Sequence, residues 1–340
     1  MTDNRTDEHT ANKLAVAAGL QNVFSSDIAK LNESVSSIYA DDVTVNAFHP
    51  VNELEGAKDV ADALWRPLRI AFPNMERRDQ IVVAGSYEGK DFVCAMTFLQ
   101  GVMREPWLDV PPTHEIVSLR CCEIHEVADS RIVESHVLID TLDFLRQAGF
   151  WPIAPSLGTE APWAGPMTGD GVLHACDFDR GQKALKLVKA MHAGLGKFDG
   201  KDLKSMDHAR YWEPGFMWYG PSGIGTSKGL SGFEAHHQIP FLRAFPDRRL
   251  NVHVANICDG DYVVTGGWPS VIGTHSGPDW LGLGPTGREV HFRVMDFYRV
   301  SAGFIAENWV PIDIADVLRQ LGVDVFARVR HFAGKPREQL

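Results

Sequence analysis

Asp296 and Asn308 lie on the last two β-rich runs of the chain, Val290–Val300 and Phe304–Ile312, on either side of the turn Ser301-Ala302-Gly303. Pairing Val300 with Phe304 across that turn sets Asp296 opposite Asn308. Side chains alternate along a strand, so one face carries Val290, Phe292, Val294, Asp296, Tyr298 and Val300 against Phe304, Ala306, Asn308, Val310 and Ile312. Apart from the Asp–Asn pair and one tyrosine, that face is apolar. A carboxylate on such a wall is costly unless partnered, and burial raises its pKa. A raised carboxyl is what general acid/base chemistry near neutral pH requires. Asp296 is therefore the first catalytic candidate, with Asn308 to orient it or to polarise a substrate oxygen. The competing reading is a structural cross-strand bond with no substrate nearby. The opposite face holds His291, Arg293, Glu307, Trp309 and Asp313.

His275 follows the long β-rich run Tyr262–Ile272 and is flanked by small residues, Gly273, Ser276 and Gly277. At a pocket mouth its imidazole would shuttle protons; otherwise it is an ordinary loop histidine. Trp218, Tyr219 and Trp268, with Phe292 and Tyr298, outline an aromatic pocket or simply a core.

The elements that must position these groups occur twice. Residues 107–149 and 280–322 align without a gap at a constant offset of 173, with 17 identities in 43 positions. A repeat of this length is a whole domain, longer than a solenoid unit of ~20–50 residues. The reading divides the chain into a polar tail (1–19), a first repeat (20–150), a Pro/Gly-rich linker (151–178), a second repeat (179–330) and a tail (331–340). Each repeat opens with helical sequence, continues through a short strand and a glycine-bounded helix, and then runs into four β-rich segments and a closing helix. That order argues α+β, with helices covering one face of a curved, mostly antiparallel sheet. At the offset, Glu123 and Ser135 stand where the second repeat has Asp296 and Asn308, Val102 replaces His275, and His49 matches Ser222. Glu123 and His49 are thus polar pocket candidates in the first repeat.

With GTHSG at 273–277, PTGREV at 285–290, FYRV at 297–300 and AENWVPID at 306–313, the chain resembles the SnoaL-like polyketide-cyclase branch of the NTF2-like superfamily. The likeness covers most of 200–325 and, more weakly, 27–150. It implies two cone-shaped domains and a cofactor-independent cyclase or isomerase acting on a small hydrophobic carbonyl compound, mainly in the second repeat. The alternative is a non-catalytic carrier of a hydrophobic ligand on the same fold. Two departures from the family are visible. Related cyclases often carry His where Asp296 stands, and the Asp-Arg-Asp set of epoxide-hydrolysing members is broken, because Arg293 and Asp296 fall on opposite faces. The family also gives an acid/base role to an aspartate near Asp313 or Asp140. Here each precedes a helix with a second Asp three residues on, the pattern of an N-cap.

Arg120/Arg293, Glu134/Glu307 and Asp140/Asp313 recur in both repeats, whereas the pocket candidates do not. Shared residues in diverged copies serve shared architecture, so the outer sheet faces are expected to pack as an intrachain pseudo-dimer with Arg–Glu links. Further self-association of the chain is left open. A net charge of −11 without basic clusters argues against nucleic acid. No apolar run reaches ~18 residues, so no membrane span is expected. The polar N-terminus and five cysteines without CxxC spacing fit a cytoplasmic protein with reduced thiols. No metal is expected, because the adjacent His236 and His237 diverge on a helix. No nucleotide cofactor is expected either, because no GxGxxG or phosphate loop is present.

Overall fold

Each repeat begins with a helix that buries one side, and that side sets which face of the following sheet is covered. The computed structural model describes residues 2–173 and 177–334. In the first repeat, helix Thr2–Ser25 buries Val16, Leu20, Val23 and Phe24. Residues expected as a polar tail thus begin a helix, and Lys13 on it is buried in an ion pair with Asp259 of the second repeat. Met1 and 335–340 of the expected tails lie outside the described residues.

The first sheet has the strand order Glu53–Glu55, Tyr39–Ala47, Arg131–Ile139, Ile116–Ala128, Lys90–Val102, Glu76–Tyr87. Its one parallel pair joins Tyr39–Ala47 to Arg131–Ile139, and the rest is antiparallel. The second sheet repeats this plan, with Trp212–Tyr219 parallel to Phe304–Trp309 and Ala255–Asp259, Tyr262–Thr274 and Glu289–Ser301 antiparallel beyond it. The architecture is the expected α+β one. The helical opening of each repeat is broken in detail: in the first it is interrupted near Asp27, whose side chain caps a new turn, and in the second Leu203–Met206 and His208–Arg210 are two short 3-10 turns.

Alternation splits each sheet into two faces with different partners. The inner faces meet their own helices. The outer faces meet each other, burying Ile81, Val83, Phe92, Cys94, Met96, Cys122 and Ile124 of one against Ile257, Val264, Met295, Phe297 and Trp309 of the other. Adjacent Cys121 and Cys122 accordingly enter different clusters, and the four described cysteines are unpaired. The linker threads along this seam, where Trp163 donates to the Gly220 carbonyl (3.0 Å) and Thr159 bridges Thr226.

The repeated charged residues close the seam, but through aspartates rather than the expected Arg–Glu links. Asp140 caps helix Thr141–Gln147, binds Arg120 (3.0 Å) and accepts the Ser222 amide of the other repeat (2.9 Å). Asp313 does the same with helix Ile314–Gln320, Arg293 (3.2 Å) and the His49 amide (2.8 Å). His49 and Ser222 are equivalent positions, so the two contacts are related by pseudo-symmetry. Glu307 is taken by Arg299 and the Met167 amide, away from Arg293.

Candidate functional site

The final hairpin turns through Ala302-Gly303, both at positive φ, so Ser301 pairs with Phe304 and Val300 with Ile305. A bulge then skips Ala306, after which Arg299 pairs with Glu307 and Tyr298 with Asn308. The turn pairs Ser301 rather than Val300 with Phe304, and the bulge adds a second one-residue shift, so Asn308 stays on the expected face but stands opposite Tyr298, two residues from Asp296. It therefore sits diagonal to Asp296, with Nδ2 at 3.4 Å from Oδ1. Nδ2 also donates to the Phe297 carbonyl (3.2 Å), which fixes the amide.

This wall lines a cavity of about 570 Å³ in the second repeat. The sheet contributes Phe292, Val294, Asp296, Tyr298, Asn308 and Val310, and the opening strand adds Trp212 and Trp218. Helix Phe178–Leu195 adds Met191, His192 and Leu195. The π turn Glu234–Gln238, continued by helix Ile239–Ala244, supplies His237, Gln238 and Phe241. Extra residues in a helical turn re-aim side chains, a device frequent at functional sites; here His237 stacks on Trp218 with centroids 4.3 Å apart.

Burial lifts the Asp296 carboxyl to about 6, with hydrogen bonds from Asn308 and Tyr298 acting in the opposite direction. Burial, reinforced by the Asp296 charge, pushes the Tyr298 phenol well above its usual range, so Tyr298 is a neutral donor. Behind it, the His192 Nε2 lies 3.0 Å from the Tyr298 hydroxyl. Burial and a neighbouring His253, stacked at 5.6 Å, bring His192 down to about 4. Burial alone lowers His237 to about 3. Near neutral pH the cavity thus holds an ionised carboxylate facing neutral imidazoles, an amide and a phenol.

Of the residues read from the sequence, Asp296, Asn308, Tyr298, Phe292 and Trp218 meet in this cavity. The others do not. His275 is fully buried behind Phe245 (5.3 Å), with Nδ1 3.3 Å from the Thr286 hydroxyl, and does not line the cavity. Tyr219 alternates to the outer face and stacks on Trp309 (5.2 Å). Trp268 packs at the seam beneath Arg293 and beside His136. His49 sits at the seam against Phe326 (5.8 Å). His192, His237 and His253 were not found from the sequence; they arrive from helices and a loop whose rotation about the sheet is fixed only by packing.

Glu123 occupies the position equivalent to Asp296, but its surroundings are closed. Burial favours the neutral acid, yet the Arg77 guanidinium, bidentate at 3.1 and 2.6 Å, holds Glu123 ionised at about 2. Trp65, the counterpart of Gln238, fills the cone with no exposure. Gly19 stands where the second repeat has His192, and a Cβ there would meet Ile38 at 2.6 Å, so the helix lies tight on the sheet. Ser135 pairs with His125 (2.8 Å) instead of with Glu123. Among the described residues no group of three or more His, Cys, Asp or Glu side chains is placed to hold a metal ion, and no helix is long and apolar enough to cross a membrane.

The family model for SnoaL-like polyketide cyclases matches residues 18–148 and 197–321. Solved structures similar to one repeat at a time include IdmH from Streptomyces antibioticus, named as a proposed polyketide cyclase (22% identity, 40% of this chain, 98% of that chain, TM-score 0.35). AclR from Streptomyces galilaeus, named as a proposed hydroxylase, shares 20% identity over 42% of this chain and 97% of its own, with a TM-score of 0.34. A SnoaL-like protein from Jannaschia sp. CCS1 shares 21% identity over 39% and 90%, with a TM-score of 0.33. No curated protein matches the chain.

Proposed function

Because the chain belongs to the SnoaL-like polyketide cyclase family, we propose that its second repeat is a cofactor-independent cyclase or isomerase for a small hydrophobic carbonyl compound. The observation that carries this reading is a carboxyl lifted to about 6 on the wall of an apolar cavity, beside neutral hydrogen-bond donors. In the proposed step, ionised Asp296 removes a proton from the carbon α to the carbonyl. The electron pair moves to the carbonyl oxygen, which accepts a hydrogen bond from Asn308 or Tyr298 as charge develops. The enolate then either attacks a second carbonyl of the same molecule, closing a ring, or takes its proton back at another carbon. In both cases protonated Asp296 returns the proton and the carboxylate is restored. His192 holds the Tyr298 hydroxyl from behind. The first repeat, whose acid is neutralised by Arg77, serves as scaffold.

Exchange of the C1 protons of 2-tetralone for solvent deuterium, followed by NMR, reads this step without the native substrate. The wild-type protein should accelerate exchange. Asp296→Asn should lose a factor of roughly 10²–10⁴, the range of a positioned general base, and His275→Ala should lose little. Exchange unaffected by Asp296→Asn, with ligand binding retained, would instead leave a carrier of hydrophobic molecules.

A further inference from the structure

The cavity's cationic side chains all stand at one end. Arg249 there is engaged by Glu289 (3.1 Å), but Arg248 is not paired. Among the described residues the Arg248 side chain has no carboxylate partner and no hydrogen bond; its guanidinium lies over the Phe198 ring at 5.3 Å. It is half-buried, and burial, with no acid to offset it, lowers its pKa. A partly desolvated guanidinium without an anion is costly, and its five donors suit planar, bidentate recognition of an anion. The equivalent residue of the closed first repeat is Met75, a buried core side chain.

Backbone register places the Arg248 Cα far from Asp296. The Arg248 Cα lies beside Gly273, which pairs with Val290, whereas Asp296 pairs with Thr265. Val290 and Asp296 are six residues apart on one strand, roughly 20 Å at ~3.3 Å per residue. Aromatic and aliphatic side chains, among them Phe241 and Phe292, line the space between.

We propose that Arg248 is an anion-binding residue, and that the molecule held in this cavity is an elongated apolar carbonyl compound carrying an acidic group at the end remote from Asp296. This rests on the second repeat's cavity being the ligand site, as argued above, and it names the substrate class.

Two fluorescent probes differing by one sulfonate test it: 8-anilinonaphthalene-1-sulfonate and the neutral N-phenyl-1-naphthylamine. Both should bind the full-length protein and compete with each other. Arg248→Met should weaken the sulfonate about tenfold or more, the worth of a hydrogen-bonded charge, and leave the neutral probe unchanged. Arg248→Lys should restore part of the loss, and added salt should shrink the difference. Arg243→Met, an exposed arginine outside the cavity, should change neither. Equal losses for both probes, no loss for either, or non-competitive binding would overturn the assignment. Failure of both probes to bind the wild-type protein would remove the open cavity on which both proposals stand. A selective Arg248 effect alongside unchanged deuterium exchange in Asp296→Asn would sink the catalytic reading alone.

Discussion

At the scale of single residues, Asp296 and Glu123 show how one position yields opposite chemistry. Both are acids on the inner face of the same strand in equivalent repeats. Glu123 has a bidentate arginine and is ionised at any ordinary pH; Asp296 has only weak donors and an open cavity. A stability cost follows for Asp296. Its folded carboxyl, at about 6, lies above the unfolded value of 3.8, so the folded state binds the proton more tightly. The penalty is absent below the unfolded pKa, grows as pH rises toward 6 and is constant above it. Asp296→Asn should therefore stabilise the protein near pH 7.5 by on the order of 1–3 kcal/mol, with the gain vanishing below about pH 4. Urea titrations across that range measure it. Conversely, Glu123→Gln removes the bidentate partner of buried Arg77 and leaves it only Asp79 (2.9 Å), so it should cost about 3 kcal/mol at neutral pH, the low end for breaking a buried pair. Asp296 was legible in the sequence because alternation needs only local pairing. The turn register and the bulge at Ala306 each shifted the pairing by one residue, which moved Asn308 along the strand without changing its face. The same alternation rules out Tyr219 and Trp218 sharing a pocket, and it is Trp218 that faces inward.

At the scale of elements, the helices decide whether a cone is open or shut. Gly19 lets the first helix settle against Ile38, and Trp65 fills what remains; His192 and Gln238 at the same positions leave space in the second repeat. Nothing local in the sequence distinguishes these outcomes, since a helix's rotation about the sheet depends on packing across the whole layer. That is why His192, His237 and His253 were not placed in the cavity from the sequence while His275, conspicuous between small residues, turned out to be buried behind Phe245. Gly19→Leu should overpack the first repeat and lower stability by roughly 1–3 kcal/mol without altering tetralone exchange, which thermal melting and NMR together check. His192→Phe removes the group behind Tyr298 while keeping a ring in place. It should slow exchange less than Asp296→Asn does.

At the scale of the whole molecule, duplication has turned two outer faces into one interior. The seam is apolar at its centre and closed at its rim by Asp140 and Asp313, each capping its own helix while accepting an amide from the other repeat. The duplication and the face-to-face packing were both readable from residues that recur at the constant offset. The helix caps of Asp140 and Asp313 were readable too, because a cap is a local pattern, but the amide each takes from the other repeat was not, being remote in sequence. Asp313→Ala loses a cap, worth about 0.5–2 kcal/mol, takes away the acceptor of the His49 amide, and leaves Arg293 with only Asp316 (3.5 Å) as a carboxylate partner. It should destabilise the protein by several kcal/mol, and denaturant unfolding should report loss of both repeats together, because they share the seam.

The central claim is that Asp296 titrates near neutrality inside the cavity. Carboxyl ¹³C NMR of the aspartate-labelled protein, recorded from pH 3 to 8 for wild type and for Asp296→Asn, tests it directly. Burial also lifts Asp140 and Asp313 to about 6, so three such resonances are expected, one of which disappears in the variant. If the resonance lost in the variant instead titrates near the ordinary aspartate value, the cavity contains no base tuned for proton abstraction.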